Sequence, residues 1–285
     1  MLQLLLNGLM AGSVLALPAL AFSIIYAVRR FLNFSVGAHM TVGAFAGYVA
    51  NTAWGLPLAW AVPVAFVAAG LVGVLTERLF LEPLARSGAM TIAIASIALG
   101  LVLDNVLRFF FGNALRSYDV PVARDWVVHG LRIGPQQLDN LLVAVAVVLA
   151  ISLFMLLTPA GKAIRAVADN PVLADAKGID PHAVGSTASL VAMGLAGIGG
   201  LLLGMETTLE PEMGYRSLLP VFAAAVLGGL GSLPGAVLGA LLIGLAEELS
   251  LLVFPATYRT VVGFVVILLV LLLRPQGLLG RPTGR

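Results

Sequence analysis

The 285 residues are 60% apolar and 11% charged, against roughly 45–50% and about 25% in an ordinary soluble domain. That balance excludes a water-soluble globular protein, and the absence of cysteine excludes disulfides and thiolate metal sites. The net charge of +2 says little in itself, and no nucleic-acid partner is expected.

A transmembrane helix needs about 20 mostly apolar residues to cross roughly 30 Å of hydrocarbon. The first such run, 2–28, has no basic region before it and far exceeds a signal-peptide core, so it is predicted to be a retained span. Runs at 34–50, 58–78 and 91–111 follow. The loop 112–137 then mixes charge with Pro and Gly, and suits either a cap over the bundle or a surface that meets another protein. Residues 138–158 form the clearest span, with no charge between Asp139 and Lys162. After a polar loop at 159–182 come runs at 183–206, 217–230, 235–253 and 258–274. The run 217–230 is too short to cross and stops at Gly228-Gly229-Leu230-Gly231-Ser232-Leu233-Pro234-Gly235, which predicts a broken or re-entrant half-helix. The expected fold is an all-α integral membrane protein, a single transmembrane domain over 1–285 built as a polytopic helical bundle of about eight or nine membrane segments.

Basic residues near span ends are retained on the cytoplasmic side. With the N-terminus outside, the inner side receives Arg29, Arg30, Arg78, Arg86, Lys162, Arg165, Lys177, Arg274, Arg281 and Arg285. The outer side receives Arg108, Arg116, Arg124, Arg132, Arg216 and Arg259, so the N-out, C-in orientation is favoured.

The inner loop is predicted to hold two short helices. Gly161 permits the turn out of the membrane, Asn170-Pro171 separates the helices, Gly178 ends the second, and Asp180-Pro181 caps the next span. Ala163, Ala166, Ala174 and Ala176 offer small residues for close packing, with Lys162, Arg165, Asp169 and Lys177 around them. On physical grounds alone the element fits a partner's docking surface and an amphipathic helix resting on lipid headgroups equally well.

The pattern Gly161-x-Ala163-x-Arg165-Ala166-x-x-x-Asn170-x-x-x-Ala174-x-x-x-Gly178-Ile179 resembles the cytoplasmic coupling loop of branched-chain amino acid ABC permeases. Nearly the whole chain joins the resemblance. Asn7-Gly8-Leu9 with Gly12-Ser13 is similar to that family's opening span, and Asn33-Phe34-Ser35-Val36-Gly37 with Met40, Gly43 and Ala44 to its second. Gly228 to Ala236 is similar to its late glycine-rich segment, and Arg274-Pro275-Gln276-Gly277-Leu278 to its C-terminal signature. Where the family commonly has Ala-His after Asn-Phe, this chain has Ser35-Val36, and a histidine only at His39. Relatives in the family also carry urea, short amides and other small organic solutes.

The resemblance implies a bacterial inner-membrane permease subunit that moves branched-chain or other hydrophobic amino acids by alternating access. It implies a second permease chain, identical or paralogous, two cytoplasmic ATPase subunits and an extracytoplasmic solute-binding protein. It also implies that Gly161, Lys162, Ala163, Arg165, Ala166, Asn170, Ala174, Gly178 and Ile179 dock the ATPase. The chain is then a transporter subunit and no enzyme. It lacks a phosphate-cradling Gly-x-x-x-x-Gly-Lys-[Ser/Thr] loop, since Ala163 follows Lys162 and Gly178 follows Lys177, so ATP and magnesium belong to a partner subunit.

Glycines four apart at Gly8/Gly12, Gly43/Gly47, Gly200/Gly204 and Gly231/Gly235/Gly239 let helix backbones approach closely in lipid. Irregular backbone at membrane depth needs protein or a water-filled cavity around it. Gly229, Gly231, Ser232 and Gly235 are therefore candidates for a gate as well as for packing, and Asn33, Phe34 and Gly37 join them as candidates for the path. Ionisable residues inside spans are functional candidates. Asp104 and Arg108 have the spacing of an intrahelical pair, whereas Glu247 and Glu248 need partners from other helices or from the second permease. Glu77 and Glu206, near span ends, need no special role, and the scattered His39, His129 and His182 suggest no metal site. An ion-coupled secondary transporter is the chief alternative, because buried carboxylates and broken helices serve such carriers too. It leaves the inner loop without a purpose.

Overall fold

The computed structural model describes residues 1–120, 126–128, 131–274 and 276–280. Arg124, His129, Arg281, Arg285 and Pro275, used above, lie outside them. The described chain is mostly helical: α1 (Leu2–Arg29), α2 (Val36–Tyr48), α3 (Leu58–Thr76), α4 (Ala89–Phe111), α5 (Pro135–Leu157), α6 (Pro159–Asp169), α7 (Pro171–Ala176), α8 (Pro181–Glu206), α9 (Met213–Gly228), α10 (Leu233–Ser250) and α11 (Arg259–Leu273). Single π turns extend α2 over Val49–Ala53 and α3 over Glu77–Leu81.

Every predicted apolar run is a helix, but only six are long and apolar enough to span among the described residues: α1, α3 with its π turn, α4, α5, α8 and α10. The helices α2, α9 and α11 are shorter. At 1.5 Å per residue, α2 and α9 reach only about 20 and 24 Å over their 13 and 16 residues. The run 217–230 is thus a short helix, as its length implied. One addition to the all-helical expectation lies in the 112–137 loop, where β1 (Trp126–Val128) and β2 (Leu131–Ile133) pair antiparallel, Trp126 opposite Ile133. Valine, isoleucine and tryptophan suit a pleated, half-buried surface.

The core is built around α1 and α8, which are buried along most of their length, whereas α3 and α5 bury only a narrow stripe and present Leu71, Leu75, Leu149 and Leu153 outward. A sheath of that kind suits lipid as the outer solvent. Glycine permits the inner crossings. A Cβ on Gly12 would fall 2.8 Å from Leu241 Cα of α10, and one on Gly197 would fall 2.7 Å from Ala65 O of α3. Such approaches let van der Waals packing hold helices where lipid supplies no hydrophobic drive.

Polar contacts gather at two ends. One end holds Gln3, which bonds Arg132 O at 2.8 Å, Asn51, which accepts from Asp119 N at 2.8 Å, and Tyr118, whose hydroxyl donates to Ala44 O at 2.9 Å. Burial pushes the Tyr118 hydroxyl's ionisation upward. The other end holds Arg29, Glu77, Glu82, α6, α7 and the α9–α10 turn.

Candidate functional site

The segment 159–182 folds as its residues dictate. Thr158 caps α6, its Oγ1 accepting from Gly161 N at 3.0 Å, and Asn170 caps α7, its Oδ1 accepting from Leu173 N at 3.0 Å. Pro159, Pro171 and Pro181 each occupy a first helical turn, where their missing N–H costs nothing. Gly178 at φ +83° ends α7, and Asp180 caps α8 through His182 N at 2.9 Å.

Most of the small residues pack inward against the chain itself, while Ala176 and Gly178 are exposed. Gly161 and Ala174 are buried, and Ala163 and Ala166 are half-buried against the chain's own core. A Cβ on Gly161 would meet Met155 Cα at 2.5 Å, so this glycine holds α6 against the end of α5. The outward face carries Lys162, Arg165, Asn170 and Lys177 with two apolar side chains that the sequence did not single out, Val172 at 79% and Leu173 at 57% exposure. Ile179 is half-buried. The reason is amphipathy: Ile164 and Val167 draw one face of α6 inward, and the alanines beside them follow.

The glycine-rich segment is the turn between α9 and α10. Gly229 and Gly231 take φ +101° and +85°, values that residues with a Cβ rarely adopt. Ser232 caps α10 through Gly235 N at 3.2 Å, and a Cβ on Gly235 would sit 2.9 Å from that same Oγ. The C-terminal segment docks here. Leu278 N and Leu279 N donate to Leu227 O and Gly228 O at 2.8 and 3.0 Å, pairing carbonyls that the end of α9 leaves open. A cleft of about 1010 Å³ is lined by members of two predicted groups, Lys162 and Arg165 of α6 and Gly231 and Ser232 of the turn, together with Arg30 and Gln276.

Asn33, Phe34 and Gly37 lie elsewhere. Phe31, Asn33 and Ser35 are buried although 31–35 is not helical. Asn33 Oδ1 accepts from Ser35 N and Oγ at 3.0 and 2.7 Å, Ser96 Oγ accepts from Phe34 N at 2.9 Å, and Asn33 Nδ2 has no hydrogen bond among the described residues. The Phe34 ring meets Phe22 and Phe222 with centroids 6.3 and 6.0 Å away. Gly37 touches the start of α9, where Thr41 Oγ1 accepts from Gly214 N at 3.2 Å. Two short helices, α2 and α9, therefore meet at their N-terminal turns. His39 is buried beneath them, Nδ1 2.8 Å from Ser35 O and Nε2 3.3 Å from Thr76 Oγ1.

Glu247 and Glu248 are both buried in α10, and Glu247 Oε1 faces α11, 3.3 Å from where a Cβ on Gly263 would be. The expected Asp104–Arg108 ion pair is not made within contact distance among the described residues. Arg108 pairs with Glu212 instead, while Asp104 turns into the bundle and its Oδ1 has no hydrogen bond among the described residues. Glu77 is also more than a span-end residue: it is buried and ion-paired to Arg29 at 2.7 Å. Among the described residues no group of three metal-ligating side chains converges.

Residues 4–271 match the family described as branched-chain amino acid transport system / permease component. The chain belongs to that family. It is 30% identical to the high-affinity branched-chain amino acid transport system permease protein BraD of Pseudomonas aeruginosa, covering 99% of this chain and 96% of that one. It is equally 30% identical to the permease protein LivH of Escherichia coli K12, with the same coverage. The permease protein LivM of Escherichia coli K12 is 25% identical over 91% of this chain and 66% of its own length. PsaBC from Streptococcus pneumoniae in complex with Fab shares the fold at 14% identity, with a TM-score of 0.51 over 95% of this chain and 91% of that one. As a branched-chain permease component the chain is a multi-pass membrane transport protein and not itself an enzyme.

Proposed function

We propose that this permease carries branched-chain or other hydrophobic amino acids inward as one of two membrane subunits of a binding-protein-dependent ABC importer. The family match and the names of the relatives support the solute class, and the presence of both LivH and LivM among the relatives supports a paired permease. The segment 159–182 is the docking surface for a cytoplasmic ATPase that carries ATP and magnesium, and the loop 112–137 faces the solute-binding protein. The N-terminus lies outside and the C-terminus inside, and about eight or nine segments lie in a bacterial inner membrane, with α2, α9 and α11 as the short ones.

The observation that carries the coupling assignment is the construction of 159–182. Two capped helices are packed against α5 and α8 on their inner face and present Val172 and Leu173 outward. Exposed apolar side chains on a rigid, polar-rimmed element fit a partner's groove. ATPase closure displaces this element, and α5 and α8 move with it. The path runs past the meeting point of α2 and α9, where helix N-termini and irregular buried backbone offer polar groups to a passing carboxylate.

The test is the double substitution Val172→Asp with Leu173→Asp. Both side chains are exposed, so membrane insertion persists, while co-purification of the ATPase subunits and amino acid uptake are lost. Normal uptake by that variant overturns the docking assignment.

A further inference from the structure

Charged side chains at the α6–α7 end form a chain of contacts that the docking surface does not use. Arg29, the last residue of α1, places Nε 2.7 Å from Glu77 Oε1 in the π turn of α3, with the two side chains 15% and 3% exposed. The same guanidinium lies 3.9 Å from Glu82 Oε1. Glu82 Oε1 in turn meets His182 Nδ1 at 2.5 Å, in the first turn of α8, just past the end of α7. One helical turn on, Arg78 Nε donates to Ser186 Oγ at 3.1 Å. In the other direction Arg30, held at φ 58°, donates to Ala168 O at the end of α6, 2.5 Å away. Neighbouring arginines at one helix end thus grip opposite sides of the segment 159–182, Arg30 its first helix and Arg29, through Glu82 and His182, its exit.

Gly185 is part of the device. A Cβ there would fall 2.7 Å from Arg29 Nε and closer to the rest of the guanidinium, so the group that pairs with Glu77 lies flat on a bare patch of α8. Burying this pair is costly, and replacing it by apolar residues would stabilise the bundle as well or better. Energetic coupling between distant sites requires elements that move as discrete bodies. Contacts that tie α1, α3 and α8 to both ends of one loop make them such a body.

We infer that Arg29, Glu77, Glu82 and His182 form a clamp that passes displacement of the 159–182 segment to α1 and α3. They are positioning residues: they touch neither solute nor nucleotide. The inference rests on the coupling assignment proposed above.

The test measures solute transported per ATP hydrolysed by the assembled importer in liposomes. Two variants leave every carboxylate in place. Gly185→Ala pushes the flexible Arg29 tip off Glu77 while improving the helix former, and His182→Ala removes a side chain that is 77% exposed. His182→Gln keeps a donor toward Glu82. Gly185→Ala and His182→Ala lower the ratio by about fivefold or more with the complex still assembled, and His182→Gln restores most of it. An unchanged ratio in Gly185→Ala and His182→Ala, when Val172→Asp with Leu173→Asp abolishes ATPase binding, overturns the clamp and leaves a static ion pair. If the α7 variant also transports normally, the coupling assignment falls and the clamp falls with it.

Discussion

Substituting Gly43 by alanine tests how tightly α2 is set against α8. The new Cβ would lie 2.2 Å from Gly197 Cα and 2.5 Å from its carbonyl carbon and oxygen, and ordinary contact begins at 3.4 Å. The helices must then separate by about 1.2 Å, because the obstacle is backbone with no rotamer to move. A gap of that size forfeits about half of each dispersion contact along the crossing, and overpacking costs about 1–3 kcal/mol, here at the upper end. Alanine returns about 0.5–1 kcal/mol through helix propensity, so the net loss is about 2 kcal/mol. That corresponds to a fall of about 4–8 °C in apparent melting temperature. Gly100→Ala supplies the control: its Cβ would meet Ala38 Cβ and Ser35 Cα at 3.8 Å, ordinary contact, while the propensity gain is the same. Heating detergent-solubilised protein and following the monodisperse gel-filtration peak orders the three proteins as Gly100→Ala at or above wild type, then Gly43→Ala below. Equal stability of the two variants refutes the backbone-contact reasoning.

Gly277→Val places a β-branched residue at φ +75° with its Cβ 2.6 Å from Gly229 Cα; it is expected to cost about 2–3 kcal/mol, seen as a lower melting temperature and faster proteolysis after Arg274. Asn170→Ala removes the α7 cap at a cost of about 1 kcal/mol, and cleavage within 159–182 in inverted vesicles then rises about fivefold; an unchanged rate refutes the cap's role. Because the chain has no cysteine, Val172→Cys and Leu115→Cys report topology directly. An impermeant maleimide applied to intact cells labels Leu115→Cys and spares Val172→Cys, and the reverse pattern inverts the orientation.

Local signals were legible in the sequence. Asn170-Pro171, Gly178 and Asp180-Pro181 mark the ends of α7 and the start of α8, because caps and turns depend on a few adjacent residues. The positions of α5 and α8 follow from uninterrupted apolar runs bounded by proline. What failed was tertiary in origin. Hydropathy merges Phe34 and Ser35 with α2, although the helix starts at Val36 and the residues before it are buried irregular backbone. The alanines of α6, and Ala174 of α7, were legible as small but not as inward-facing, since in α6 Ile164 and Val167 decide the face. The apolar pair Val172-Leu173 drew no attention, because an apolar pair in a loop looks like core until its exposure is known. Glu77 and Arg29 sit 48 positions apart, and nothing local links them. The usable hint was that an acidic residue closing an apolar run needs a cation, and Arg29-Arg30 closes another run on the same side.

The central place of α1 has a consequence for biogenesis. Its glycines lie against Leu241 and Leu245 of α10, and Pro18 lies against Gly199 of α8. Helix α1, ending at Arg29, therefore meets its main partners, α8 from Pro181 and α10 from Leu233, only long after it has been made. Until then, Gly8, Gly12 and Ser13 face acyl chains or an insertase instead of helix backbone. A nascent chain stopped before α8 holds α1 without the two helices that bury most of it, its glycines still facing lipid.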